Sequence, residues 1–246
     1  VSLPTPSLPD STGAYTLRSG SFEAQLPTTI NSTADTVGGT SYYQDIPGRD
    51  GFKAIRFGNF AGRNINLSGV IMDSATVTNL KRVLSQPRIE VVRDNLVMVT
   101  EKQGLSITEV VYDELWRVSI DLASPDYFWE SQSTTTTSAN PTSVTNAGDL
   151  DTYPTVNITA GVGGLASFSL TTGGRNLVWS GSLLEGETVT IDCGRLTVVR
   201  GTESALNEMN NAFFVAPPRL LPGSNAIVTD LIGTASFTIS YKEKYL

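Results

Sequence analysis

The chain of 246 residues carries 24 acidic and 17 basic side chains, no histidine and a single cysteine, for a formal net charge of −7. This balance excludes an intrachain disulfide and argues against a basic nucleic-acid-binding face, and the lack of histidine removes most nucleophile–base triads and most zinc sites. With 39% hydrophobic and 17% charged residues, the sequence has apolar material for compact cores, and its length favours two domains of about 100–150 residues each.

Thr, Ser, Val, Gly and Asn are abundant, which favours an all-β reading. Residues 1–13 hold Pro4, Pro6, Pro9 and Gly13 and no hydrophobic period. They predict an extended arm of the kind that orders against a neighbouring subunit. TLRSGSFEAQL (16–26) reads as a strand pair or a bent strand. Residues 31–51 contain Gly38-Gly39, Pro47-Gly48 and Asp50-Gly51, and predict a long polar connection that is functional or interfacial. FKAIRFGNF and NINLSGVIM then alternate, so that Ile65, Leu67, Val70 and Ile71 can face a core. One helix is predicted: Val77, Leu80, Val83 and Leu84 share a face, Asp73 or Ser74 can cap the start, and Pro87 ends it. The strands after it include a hairpin turning at Arg93–Asn95, and WRVSIDL places Trp116, Val118, Ile120 and Leu122 on one side.

ESQSTTTTSANPTSVT, residues 130–145, has almost no bulky apolar residue. It reads as a flexible linker or an exposed β-rich connection. The domain boundary is set here: an N-terminal domain 1–130, a linker 131–145 and a C-terminal domain 146–246. The second domain is strand after strand, in VNITA, ASFSLTT, NLVWSGSLL, ETVTIDC and RLTVVRG. Turns are predicted at Gly161–Gly164, Gly173-Gly174 and Glu185-Gly186. Val189 and Ile191 point inward, as do Phe237, Ile239 and Tyr241. Leu221-Pro222-Gly223-Ser224 fits a type II turn. Turn signals at this spacing fit a sandwich or jelly roll.

No constellation reads as a reactive site, and no catalytic residue, metal or cofactor is expected. Cys193, flanked by Ile191 and Leu196, reads as a buried structural thiol with no His to activate it. Asp149 and Asp151, with Asn146 near, are too few for a calcium loop. Glu185 and Glu187 flank a turn and Asp113-Glu114 precede Trp116; neither pair signals a glycosidase cleft. Trp129, Tyr153 and Trp179 could stack on sugars but read as core or interface. The sequons at Asn31, Asn66 and Asn157 have meaning only in a glycosylating host. Lys81, Arg82 and Arg88 are too sparse for a nucleic-acid patch. No apolar run approaches the ~20 residues that span a bilayer, and VSLPTPSLPD lacks the features of a signal peptide, so a soluble chain made in a cytoplasm is expected.

The order of motifs in the second half is similar to that of a known family. Asn146, Gly148, Asp149, Thr152 and Pro154 fit N-x-G-D-x-x-T-x-P, and Thr171–Gly173 form a T-T-G turn. Gly186, Glu187, Ile191 and Asp192 fit G-E-x-x-x-I-D, Pro222, Gly223 and Asn225 fit P-G-x-N, and Tyr241 and Tyr245 close the last strand. More loosely, Arg63, Ile65, Leu67, Gly69 and Ile71 fit R-x-I-x-L-x-G-x-I before a helix, and Ser124–Trp129 fits a closing aromatic motif. Together they resemble the distal tail (Dit-like) proteins of long-tailed bacteriophages. The resemblance implies a mainly β protein: a β-rich N-terminal domain with one short helix and a galectin-like, jelly-roll β-sandwich at the C-terminus. It implies a structural virion protein at the distal end of the tail. This would be a hexameric ring around the DNA channel, joining the tube protein to the hub, fibre or receptor-binding proteins. A ring of such acidic chains would not grip the DNA that passes through it. Two other readings stay open: a carbohydrate-binding module with an exposed aromatic platform, and a β-sandwich hydrolase with carboxylates facing across a cleft.

Overall fold

The structure, a computed structural model, describes residues 15–37, 42–45, 52–55, 62–112, 114–126 and 128–246. The chain is mainly β and divides into two compact units, one running to Glu130 and one spanning Ser131–Tyr245. The expected N-terminal arm lies outside the described residues.

In the first unit the strands lie antiparallel in the order Phe22–Gln25, Tyr15–Ser19, Ile89–Arg93, Leu96–Val111, Leu115–Ser124, Arg63–Ile71, Asn31–Val37. The strand Leu96–Val111 joins two registers. It pairs with Ile89–Arg93 up to Thr100, then with Leu115–Ser124 from Glu101 to Val111. The alternation read from sequence holds: Ile65, Leu67, Ile71, Trp116, Val118, Ile120 and Leu122 are buried, with Val70 half-buried. The helix Ser74–Leu84 buries the four residues that its period picks out, Val77, Leu80, Val83 and Leu84. Asp73 caps it by accepting from the Thr76 amide at 2.8 Å; hydrogen bonds from the Thr76 hydroxyl and amide hold the Asp73 carboxyl below its usual range. Gly69 has a steric reason. A Cβ there would meet the carbonyl oxygen of Thr29 at 2.1 Å, so the strand and the Thr29 backbone approach only without a side chain.

Two expectations for this unit change. The expected connection 31–51 contains the strand Asn31–Val37, paired along Arg63–Ile71, and the strand Tyr42–Asp45, which pairs with Phe52–Ile55 just beyond it. A sheet edge is held through its backbone and tolerates polar composition, so no hydrophobic alternation announces it. The run LVMVTEKQGLSITEVV, in which Gly104 signals a break, is one continuous strand, with Gly104 absorbed at a bulge between Lys102 and Gly104.

The second unit is built on two long strands, Thr155–Thr172 and Val228–Tyr241, which pair antiparallel along their length. Their first common stretch continues through Thr188–Asp192, Thr197–Arg200 and Glu203–Ser204. Their second continues through Arg175–Leu183. The change of flanking strand falls at the glycines that the sequence marks as a turn. The register breaks between Ala160 and Leu165, Gly163 and Gly164 take positive φ, and a Cβ on Gly233 would lie 2.4 Å from the Gly164 carbonyl oxygen. The glycines therefore bend a strand pair rather than end it. One core forms from Val156, Ile158, Phe168, Leu170, Leu177, Trp179, Val189, Ile191, Phe237 and Ile239.

Residues 131–145, expected as a linker, are strand-paired within this unit. Thr135–Thr136 pairs with the last long strand, and the Thr137 and Asn140 amides donate to Ile239 and Phe237 at 3.0 and 2.8 Å. Their side chains return the bond, accepting from the Ile239 and Phe237 amides. Ser143–Asn146 pairs with Gly223–Ala226, and Val144 is buried. Ser, Thr and Asn satisfy backbone groups here, a role that leaves no apolar pattern in the sequence. A short helix, Asn211–Val215, adds to the one predicted; only Phe213 anchors it, too little for a period to show.

Candidate functional site

The motif residues of the second unit converge into a hydrogen-bond network. Asn146 is buried; its amide donates to the carbonyls of Leu150 and Leu220 at 2.9 and 3.1 Å, and its oxygen accepts from the Gly148 amide at 3.0 Å. Thr152 exchanges backbone bonds with Leu220 and donates its hydroxyl to Lys242 at 2.7 Å. The amides of Asp149 and Leu150 donate to Lys244, and a Cβ on Gly148 would meet the Lys244 oxygen at 2.5 Å. Asn225 ties the P-G-x-N turn, accepting from the Leu221 amide and donating to Leu221 and Gly223; Gly223 has φ +88, as a type II turn requires. Asp192 ends its strand by accepting from the amides of Gly194 and Arg195. Glu187 accepts from the Leu184 amide at 2.8 Å. These residues spend their polar atoms on the fold.

The other candidates are also accounted for. Asp151 pairs with Arg219 at 2.5 Å. Trp179 is fully buried and donates to Glu208 at 2.8 Å; Trp129 is fully buried beneath the Arg63 guanidinium. Of the three proposed sugar-stacking aromatics only Tyr153 reaches solvent, at 41% exposure. Cys193 is buried in the turn after its strand, and desolvation, with Asp192 beside it, pushes its thiol up to about 12. Glu185 is exposed beside its turn, Glu114 is exposed before Trp116, and Asp113 lies outside the described residues. Lys81, Arg82 and Arg88 are exposed at the end of the helix, and Asn66 donates to Asp121. The strand Thr155–Thr172 carries Asn157, which accepts from the Thr190 hydroxyl, and the Asn31 sequon falls on an edge strand.

What the first unit offers instead is backbone. Among the described residues, Asn31–Val37 has a strand on one side only. The outer half of Leu96–Val111 pairs with Leu115–Ser124, beyond the reach of Ile89–Arg93. Both faces of that outer half are largely exposed. Leu105, Val110 and Val111 stand out from it, and Tyr112 at its tip is 89% exposed. Sequence reasoning did not find this edge, although TEVVY held its signal: apolar residues outside the alternation that fills the core.

Residues 147–245 match the family model of the siphovirus-type tail component, C-terminal domain. This unit is similar to that family, and the protein is a structural component of a phage tail. Its fold is Dit-like. The solved structure of SPP1 Dit (gp 19.1), a paradigm of the hub adsorption apparatus in phages infecting Gram-positive bacteria, superposes with a TM-score of 0.63 at 13% identity, over 94% of this chain and 99% of that one. The phage P2 baseplate in its activated conformation with Ca gives a TM-score of 0.42 at 8% identity, over 93% and 97%. No curated protein sequence matches the chain.

Proposed function

We propose that six copies of this protein close into a ring at the distal end of the tail. The observation that carries this reading is that, among the described residues, Asn31–Val37 has a strand on one side only, while the tip of Leu96–Val111 stands out with an exposed apolar surface. Exposed edges present unpaired N–H and C=O groups, which seek another strand. The edge and the tip are different surfaces, and each meets the other in a neighbouring copy, head to tail. Such a heterologous contact repeats around an axis and closes into a ring when the rotation per copy divides the circle evenly, which is the closure proposed here. Leu105, Val110, Val111 and Tyr112 supply the apolar area that the contact needs.

In this reading the N-terminal domains enclose the DNA channel and the C-terminal domains carry the outer contacts. One face of the ring meets the tube protein and the other the hub, fibre or receptor-binding proteins. The work is mechanical and involves no catalysis: a rigid adaptor that joins its neighbours and lets DNA pass. The family match of the C-terminal domain and the Dit-like fold support it. Native mass spectrometry of the purified chain tests it. A closed hexamer is the expected species; a monomer at high concentration, and in reconstituted tails, would sink the proposal.

A further inference from the structure

The second unit carries a surface groove of about 650 Å³ lined by Ser182, Thr188, Thr202, Glu187, Glu203 and Arg200. Ser182 and Leu184 also line a second groove, floored by Gly163, Gly164 and Gly233, whose far side is Ile232. Leu184 is therefore a ridge between a polar trough and an apolar one, and it is 69% exposed; Ile232 is 67% exposed. The polar trough opens onto an outward sheet face. There the registers bring together Ser236, Thr159 and Thr188 in one row, and Thr238, Asn157 and Thr190 in the next. Neither row holds a charged residue.

We propose that this surface binds a neutral glycan chain. A sugar polymer is amphipathic: hydroxyls lie around the ring edge and C–H groups cover its faces. A trough of carboxylates, hydroxyls and a guanidinium beside an aliphatic ridge offers both halves of that chemistry. The polar groups are held in place. Glu187 is fixed by the Leu184 amide, and Arg200 by Glu208 and the Ser182 carbonyl, each at 3.3 Å. Charge decides against anionic polymers. Three carboxylates, Glu185, Glu187 and Glu203, line the two troughs against the one cation Arg200, so a phosphate- or sulfate-bearing chain is repelled. The flanking rows add hydroxyl and amide donors and acceptors spaced by about 4.8 Å between strands, for which a neutral polymer has matching groups. The site differs from an aromatic platform, since Trp129 and Trp179 are buried. It goes beyond the ring reading and does not depend on it, although copies arrayed in a ring would multiply a weak contact.

The test uses the full chain with immobilised polysaccharides: a neutral hexose polymer, an N-acetylated amino-sugar polymer and a sulfated polymer. Retention on at least one neutral matrix, and none on the sulfated one, is expected. Leu184→Asp and Thr202→Lys change exposed side chains and should each weaken retention at least tenfold, with unfolding temperature unchanged. Val228→Asp, exposed elsewhere on the unit, should leave it intact. No retention on either neutral matrix, retention on the sulfated matrix alone, or equal retention by the Leu184 and Thr202 variants would overturn the proposal. Mass measurement of the same variants separates the two readings, because the ring should survive all three changes.

Discussion

The side-chain amide of Asn146 donates to the carbonyl oxygen of Leu220, joining two buried positions 74 residues apart. Through it the end of the strand Ser143–Asn146 is tied to the segment just before its partner strand, Gly223–Ala226. The motif that opens the domain is thus a closure device.

Asn146→Ala should be strongly destabilising. It leaves the Leu150 carbonyl and the Gly148 amide without this partner and the Leu220 carbonyl with the Thr152 amide alone, at about 1–3 kcal/mol for each unsatisfied group that water cannot reach. A loss of about 3 kcal/mol in urea unfolding is expected. Asn146→Asp should be no better, because a carboxylate cannot donate to the two carbonyls.

Two glycines with positive φ should respond differently to alanine. At Gly233 the new Cβ would lie 2.4 Å from the Gly164 carbonyl oxygen, backbone that cannot yield without undoing the bend. At Gly201, with φ +60, nothing lies within 4 Å. Gly201→Ala should cost about 1–2 kcal/mol, the price of a left-handed residue with a side chain, whereas Gly233→Ala should exceed 4 kcal/mol or fail to fold. Thermal unfolding of both variants measures the contrast.

The native thiol of Cys193 should resist alkylation at pH 8 and react only on unfolding. Its folded value of about 12 lies above the ordinary thiol value of 9.0. Between these, the folded state keeps a proton that the unfolded state has lost. The contribution is therefore fully present below about pH 9 and is lost as pH rises towards 12. Cys193→Ala should flatten part of the alkaline fall in stability. It should not remove all of it, because desolvation and a hydrogen bond to Glu243 also raise the Tyr245 phenol to about 12.

A fragment of residues 131–246 should unfold cooperatively, while one of residues 147–246 should be much less stable. The shorter piece loses the buried Val144, Asn146 and the bonds from Thr137 and Asn140 to the last long strand. Equal urea midpoints for the two fragments would contradict the strand pairing of residues 131–145.

Tyr112→Asp should break the proposed ring and leave the subunit folded, since the side chain touches solvent almost entirely. Native mass spectrometry gives the oligomer and circular dichroism the fold. An intact ring in the variant would remove the hairpin tip from the interface.

The sequence made the regular parts of this fold readable because their residues obey one rule each. Val77, Leu80, Val83 and Leu84 mark the helix, and Phe237, Ile239 and Tyr241 mark the inward face of the last long strand. Asn146, Thr152 and Asn225 were legible as motif but not as network, because hydrogen bonds across such separations leave no local period. Gly163, Gly164 and Gly233 signalled a break and delivered a bend; a chain turning back and a strand changing neighbours need the same backbone freedom. The edge Asn31–Val37 stayed hidden, since pairing through the backbone asks little of side chains.

The pairing of Thr155–Thr172 with Val228–Tyr241 from Thr155 to Thr171 has a mechanical corollary. Tension applied along these two strands loads their ladder in shear, so many hydrogen bonds must yield together and none can be peeled alone. Because the same two strands run on past the bend, with Thr188–Asp192 beside their first stretch and Arg175–Leu183 beside their second, a pull entering at one end is carried by covalent backbone to the other. A domain wired in this way transmits displacement with little internal give, the property required of a lever and dispensable in a mere spacer.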